Sequence, residues 1–130
     1  MSASKTLKDF IDQAKSEIEE IEITEVGQLI LEGYQVLDVR EPGEYAEGSI
    51  EGAINVPRGV LEPAADLVVK GREELQDRDK KWLLFCRSSA RSALATSVLQ
   101  QMGFKNVKNI RGGILAWQDA DMEIVKPTKS

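Results

Sequence analysis

Histidine is absent from the 130 residues of this chain. That absence removes the commonest general base, so Ser-His and Cys-His mechanisms are excluded. It also removes the commonest zinc ligand, and the single cysteine, Cys86, cannot hold a zinc ion by itself. One cysteine also means no internal disulfide. No metal and no cofactor is expected. No apolar run approaches the length of a membrane-spanning helix. The first ten residues, Met1 to Phe10, lack the apolar centre of a signal peptide. A cytoplasmic protein with no membrane association is expected, a setting that suits a free thiol. An excess of basic residues is missing too, since the net charge is −5. Residues 1–32 hold three lysines against eight carboxylates, and the remainder is balanced. The acidity therefore belongs to the N-terminal segment, and nothing offers the basic face that a nucleic acid needs.

What is present is enough chain for one domain with a real hydrophobic core. Its most informative stretch is Trp82-Leu83-Leu84-Phe85-Cys86-Arg87-Ser88-Ser89-Ala90-Arg91-Ser92. Four bulky apolar residues run into the lone thiol, a short polar loop follows, and a helical pattern starts at once. A thiol in that position meets backbone N–H groups, the positive end of a helix and two guanidinium groups, all of which favour negative charge on sulfur.

The rest of the chain alternates strand and helix patterns. An amphipathic helix is expected over residues 5–21, with Leu7, Phe10, Ile11, Ala14, Ile18 and Ile21 on one stripe and Thr6 with Asp9 as a capping box. Its stripe packs on its own domain or mediates dimerisation, so the chain is read as a monomer or a homodimer through this helix. A short strand is expected near Ile21–Ile23, then a helix capped by Thr24 and closed by Gly33. Tyr34–Val39 and Ala53–Val56 read as strands, with a helical turn between them begun by Pro42. A helix from Glu62 to about Val69 turns Leu61, Ala64, Ala65 and Val68 inward. Residues 71–81 are polar and read as a surface connection. A strand at Trp82–Phe85, a helix at Arg91–Met102 closed by Gly103, a strand at Val107–Ile110 and a short helix after Gly112-Gly113 complete the order. Such alternation indicates an α/β domain with a mostly parallel sheet of about five strands flanked by helices. Ligands bind such sheets beyond the carboxyl ends of the strands, where Asp38, Arg58 and Cys86 all fall, so one crevice is expected to gather them.

Four motifs, in order, resemble those of the rhodanese family of sulfurtransferases. They are Leu37-Asp38-Val39-Arg40-Glu41 with Glu44-Tyr45, then Gly48 to Pro57, then Cys86 to Ser92, then Gly112-Gly113 with Ala116-Trp117. The resemblance covers roughly residues 20–125 and implies a three-layer rhodanese-like domain over residues 21–125. Residues 1–20 are then an N-terminal amphipathic extension and 126–130 a tail. It implies a persulfide carried on Cys86, a small-molecule sulfur donor such as thiosulfate or a thiol persulfide, and cyanide or a thiol as acceptor. Arg87 and Arg91 become the anion contacts, Ser92 a hydroxyl near the sulfur, and Ser88, Ser89 and Ala90 the remaining loop contacts. Arg58 is a further candidate for the donor, and Asp38 with Arg40 a structural ion pair bracing the site. Two positions depart from the family pattern. Ser49 stands where histidine is usual, at a position that supports a turn. Ser89 stands where glycine is usual; a serine there costs about 1 kcal/mol if φ must be positive, or instead donates its hydroxyl or caps the next helix.

Two other readings compete. A phosphatase or arsenate reductase would use Cys-x5-Arg, a longer loop than the Cys86-x4-Arg91 found here. A non-catalytic or sulfur-carrier module would keep the fold and bind a partner, but the retained Cys86, Arg87 and Arg91 argue against a dead domain.

Overall fold

The computed structural model describes residues 4–69 and 71–127. Helix α1 (Leu7–Glu17) leads into strand β1 (Glu19–Ile21), helix α2 (Val26–Leu31), strand β2 (Gln35–Asp38) and helix α3 (Pro42–Glu47). Strand β3 (Ile54–Asn55), helix α4 (Leu61–Ala65), strand β4 (Trp82–Phe85), helix α5 (Ala90–Gln101), strand β5 (Val107–Ile110) and helix α6 (Gly113–Asp119) follow. The five strands form one sheet in the order β1-β5-β4-β2-β3, and every pairing is parallel.

Strand β4 lies at the centre and is buried throughout. A strand with both faces covered needs apolar residues at every position, and Trp82, Leu83, Leu84 and Phe85 supply them. The two-residue period sends Trp82, Leu84 and Cys86 into a core shared with Leu61, Leu75 and Leu99. Leu83 and Phe85 enter a second core with Ile21, Val26, Ile114 and Trp117 on the opposite face. The α/β layering expected from the sequence is what the structure has. The alternation also fixes which face carries the thiol, the one covered by α4 and α5.

Four local expectations are corrected. The N-terminal helix stops at Glu17, because the next residues extend into β1 and pair with Lys108–Ile110 of β5. Its capping box forms as expected: Thr6 N–H donates to Asp9, and Asp9 N–H donates back to Thr6 Oγ1. Yet only Ala14 of the helix is buried, and Leu7 and Phe10 stay exposed. Thr24 is not a cap; a 3₁₀ turn at Ile23–Glu25 precedes α2, and the Glu25 carboxylate accepts from Glu22 N–H at 2.8 Å. Helix α4 ends at Ala65, not near Val69, so Val68 is exposed. The Asp66 carboxylate accepts from Val68 N–H at 2.8 Å, an Asx turn that competes with helix continuation. Residues 71–81 are not all surface either: a 3₁₀ turn at Glu73–Leu75 inserts Leu75 fully into the core. One apolar residue among charges has no periodicity to reveal it.

Strand β1 spans the expected boundary between residues 20 and 21. Of the expected extension and tail, residues 1–3 and 128–130 lie outside the described residues. No helix among the described residues is long and apolar enough to cross a membrane.

Candidate active site at the head of helix α5

Cys86 directly follows β4 and is buried. Its Sγ accepts from Ser89 N–H at 3.1 Å, from Ser92 N–H at 3.4 Å and from Ser92 Oγ–H at 3.4 Å. Two backbone amides and a hydroxyl aimed at one sulfur form a concavity that favours an anion. The N-terminus of the 12-residue α5 adds its dipole from the same side. The backbone achieves this by a left-handed residue, since Ser89 has φ +96° at the N-cap of α5. The glycine-to-serine departure thus falls on a position where glycine is favoured, with a strain of about 1 kcal/mol. The serine side chain does not cap the helix. Its Oγ accepts from Lys15 Nζ of α1 at 3.1 Å instead.

The carbonyls of the loop are held from behind by α6. Ile114 N–H donates to Cys86 O at 2.9 Å and Leu115 N–H to Arg87 O at 3.1 Å. The close approach depends on Gly113, with φ +58°, because a Cβ there would lie 2.5 Å from Cys86 O and 2.6 Å from Arg87 O. With its carbonyls tied outward to α6, the loop keeps its amides for the sulfur.

The two loop arginines have different surroundings. Arg87 is exposed and lines a groove of about 320 Å³ with Arg40, Glu44, Gly48 and Leu115. Arg91 is half-buried and forks onto Glu44 of α3, with Nη1–Oε1 at 2.7 Å and Nη2–Oε2 at 3.1 Å. That double hydrogen bond holds the Glu44 carboxyl at about 2, against an ordinary value of 4.5, while partial burial opposes the shift. A carboxylate held below its unfolded value stabilises the fold above that value, and the stabilisation is lost as pH falls. Stability of the wild type is therefore expected to decline between about pH 4.5 and 2 more steeply than that of Glu44→Gln. Thermal melts across that range, comparing the two proteins, check this; parallel profiles would refute it.

Behind the loop lies a buried ion pair. Asp38, with no exposed surface, accepts from Arg40 Nε at 3.0 Å and Nη2 at 2.8 Å. Ser49 Oγ–H donates to the same carboxylate at 2.9 Å, and Arg40 Nη2 also donates to Gly48 O at 2.7 Å. Ser49 thus does more than shape a turn: its hydroxyl satisfies a buried charge. Asn55 Nδ2 donates to the Asp38 and Arg40 carbonyls, both at 2.9 Å, and ties β3 to this corner.

The three residues expected in one crevice are not gathered in one. Asp38 is enclosed by its ion pair. Arg58 pairs with Glu62 at 2.9 Å and lines a groove of about 630 Å³ between α1 and α5, beside Phe10, Leu94 and Val98. Cys86 belongs to the loop. Ser88 is exposed, Ala90 is intermediate, and Ser89 and Ser92 are buried. Three residues that touch this site were not singled out from the sequence. Glu44 falls within the first motif without a role of its own there, and nothing local marks Lys15 or Asn109, which reach Ser89 from 74 and 20 residues away. Among the described residues no group of three or more His, Cys, Asp or Glu side chains is arranged to hold a metal ion.

An all-parallel sheet with a thiol at the carboxyl end of its central strand, wrapped by amides at a helix N-terminus, defines an α/β protein with a cysteine-centred anion loop. The model of the Rhodanese-like domain matches residues 22–120, and the chain belongs to that family. A sulfurtransferase of Allochromatium vinosum is 35% identical over 112 residues, covering 85% of this chain and 97% of the relative. Thiosulfate sulfurtransferase 18 of Arabidopsis thaliana is 34% identical over 116 residues, covering 83% and 84%. Among solved structures, a Rhodopseudomonas palustris protein of unknown function, described as a possible tyrosine phosphatase, superposes with a TM-score of 0.86. It is 33% identical, with 96% of this chain and 98% of that one covered.

Proposed function

We propose that the protein moves a sulfane sulfur through a persulfide on Cys86. The thiolate attacks the outer sulfur of a donor such as thiosulfate or a thiol persulfide. A new S–S bond forms to Cys86 as the donor's S–S bond breaks, and the electron pair leaves on sulfite or on the donor thiolate. Cyanide or a thiol then attacks the outer sulfur of the persulfide and restores the Cys86 thiolate. No proton relay is needed, which suits a chain without histidine.

The observation that carries this reading is the three donors converging on Sγ. The same amides serve the charge when it moves outward to the second sulfur. Arg87, exposed at the loop, is the contact for an anionic donor, with Ser88 and Ala90 completing the rim. Arg91 acts on the loop through its fork to Glu44. This argues against a phosphatase as well, because phosphoryl chemistry would need that fork for the equatorial oxygens. Asp38 and Arg40 brace the structure behind the loop. Arg58, in the α1–α5 groove, is left without a part in donor binding.

The test is intact-mass spectrometry of the full chain after exposure to thiosulfate or to glutathione persulfide. Wild type is expected to gain the mass of one sulfur atom and to lose it to cyanide, with no phosphate released from p-nitrophenyl phosphate. Failure of both donors to load the protein sinks the reading. Loss of loading with retained partner binding would favour a carrier or docking role.

A further inference from the structure

The family match begins at residue 22, yet a side chain from outside it touches the loop. Lys15, on the last turn of α1, donates from Nζ to Ser89 Oγ at 3.1 Å. Ser89 is the residue with φ +96° whose N–H makes the shortest of the three hydrogen bonds to Cys86 Sγ. Left-handed backbone at a residue with a Cβ persists only when its surroundings over-determine it. Here they do so from two sides. The hydroxyl is held by Lys15, and the Ser89 carbonyl accepts from Asn109 Nδ2 at 3.5 Å. The same Nδ2 donates to Glu20 Oε2 at 2.9 Å, and that carboxylate lies 3.9 Å from Lys15 Nζ and 3.6 Å from Arg111 Nε. Lys15 is therefore steered by Glu20 and aimed at the one hydroxyl that a glycine in this loop would lack. Lys15 thus brings a positive charge to the residue whose amide faces the thiol, from a helix that packs along α5.

We propose that Lys15 is a positioning residue of the reaction centre, acting through the Ser89 hydroxyl to fix the amide that faces Cys86. The N-terminal helix is thus part of the site's support, and Ser89 is half of a two-residue device whose other half is Lys15. The proposal rests on Cys86 being the nucleophile, but not on which donor loads it.

Alkylation of Cys86 in the full chain by iodoacetamide at pH 7, followed by intact mass, tests this without any sulfur donor. Failure of persulfide loading therefore leaves the measurement readable. Lys15→Met is expected to slow alkylation about fivefold, the net effect of losing one ordinary hydrogen bond. Ser89→Ala, which keeps the Cβ and removes the hydroxyl, is expected to slow it by a similar factor. Lys15→Arg, which keeps charge and donor, restores most of the rate. In a Ser89→Gly background, Lys15→Met changes nothing, because its partner is already gone. A slowing by Lys15→Met that persists undiminished in Ser89→Gly overturns the proposal, since Lys15 would then act without the hydroxyl. So does a Ser89→Ala rate equal to wild type, or a Lys15→Arg rate no better than Lys15→Met. Melting curves of each variant identify any that fails to fold; Ser89→Ala, which leaves α1 intact, decides the matter where Lys15→Met does not fold.

Discussion

Cys86→Ser is expected to take up no sulfur from any donor, while losing only about 1 kcal/mol of stability. The loss of loading is total because the chain has no second cysteine to carry the label. Stability is largely kept because serine is close in size. Its hydroxyl oxygen can accept from the same Ser89 and Ser92 groups that reach the sulfur. Intact mass reads the loading, and urea unfolding reads the stability. A variant that still gains sulfur mass would mean that the label sits elsewhere than on a cysteine thiol. A variant that fails to fold would mean that the thiol's packing beside Leu84 and Trp82 matters more than its chemistry.

Asp38→Ala is expected to destabilise the fold by about 3–5 kcal/mol, since it leaves the buried Arg40 charge without its carboxylate. The loss reaches further than one pair. Ser49 loses its acceptor, and Arg40 keeps only Gly48 O. A drop in Tm of about 10 °C or more follows from that range for a domain of this size. Replacing both partners by apolar residues of similar volume, as in Asp38→Leu with Arg40→Met, is expected to recover a good part of the loss, because no charge is then stranded. Equal melting temperatures for Asp38→Ala and wild type would show that the pair contributes nothing net. An uncorrected double variant would show that the corner depends on the polar network itself.

The division between what the sequence disclosed and what it hid follows the range of the interactions. Cys86, its loop and the helix after it are contiguous, so their arrangement is written in one stretch of eleven residues. Central strand β4 is legible for a related reason: burial on both faces demands a continuous apolar run. The Asp38–Arg40 pair is legible because its members are two residues apart. By contrast, Arg91 finds Glu44 across 47 residues, and Lys15 finds Ser89 across 74. Neither pairing leaves a local trace, and a free-looking arginine in the loop turns out to be occupied. Leu75 escapes because a single apolar residue in a 3₁₀ turn has no period. Val68 misleads because Asp66 turns the chain before the helical pattern reaches it.

Among the described residues strand β1 pairs only with β5, and the Glu20–Asn109 hydrogen bond at that seam joins residues 89 apart. Contacts this distant in sequence close late, after the entropy of the intervening loop has been overcome. During synthesis from the N-terminus, Lys15 and Glu20 emerge long before Asn109, so the seam cannot close until β5 has been made. The order gives the chain a built-in delay. Its one thiol, at position 86, is made before the final strand, and the full set of groups that bracket Ser89 is complete only once that strand has left the ribosome.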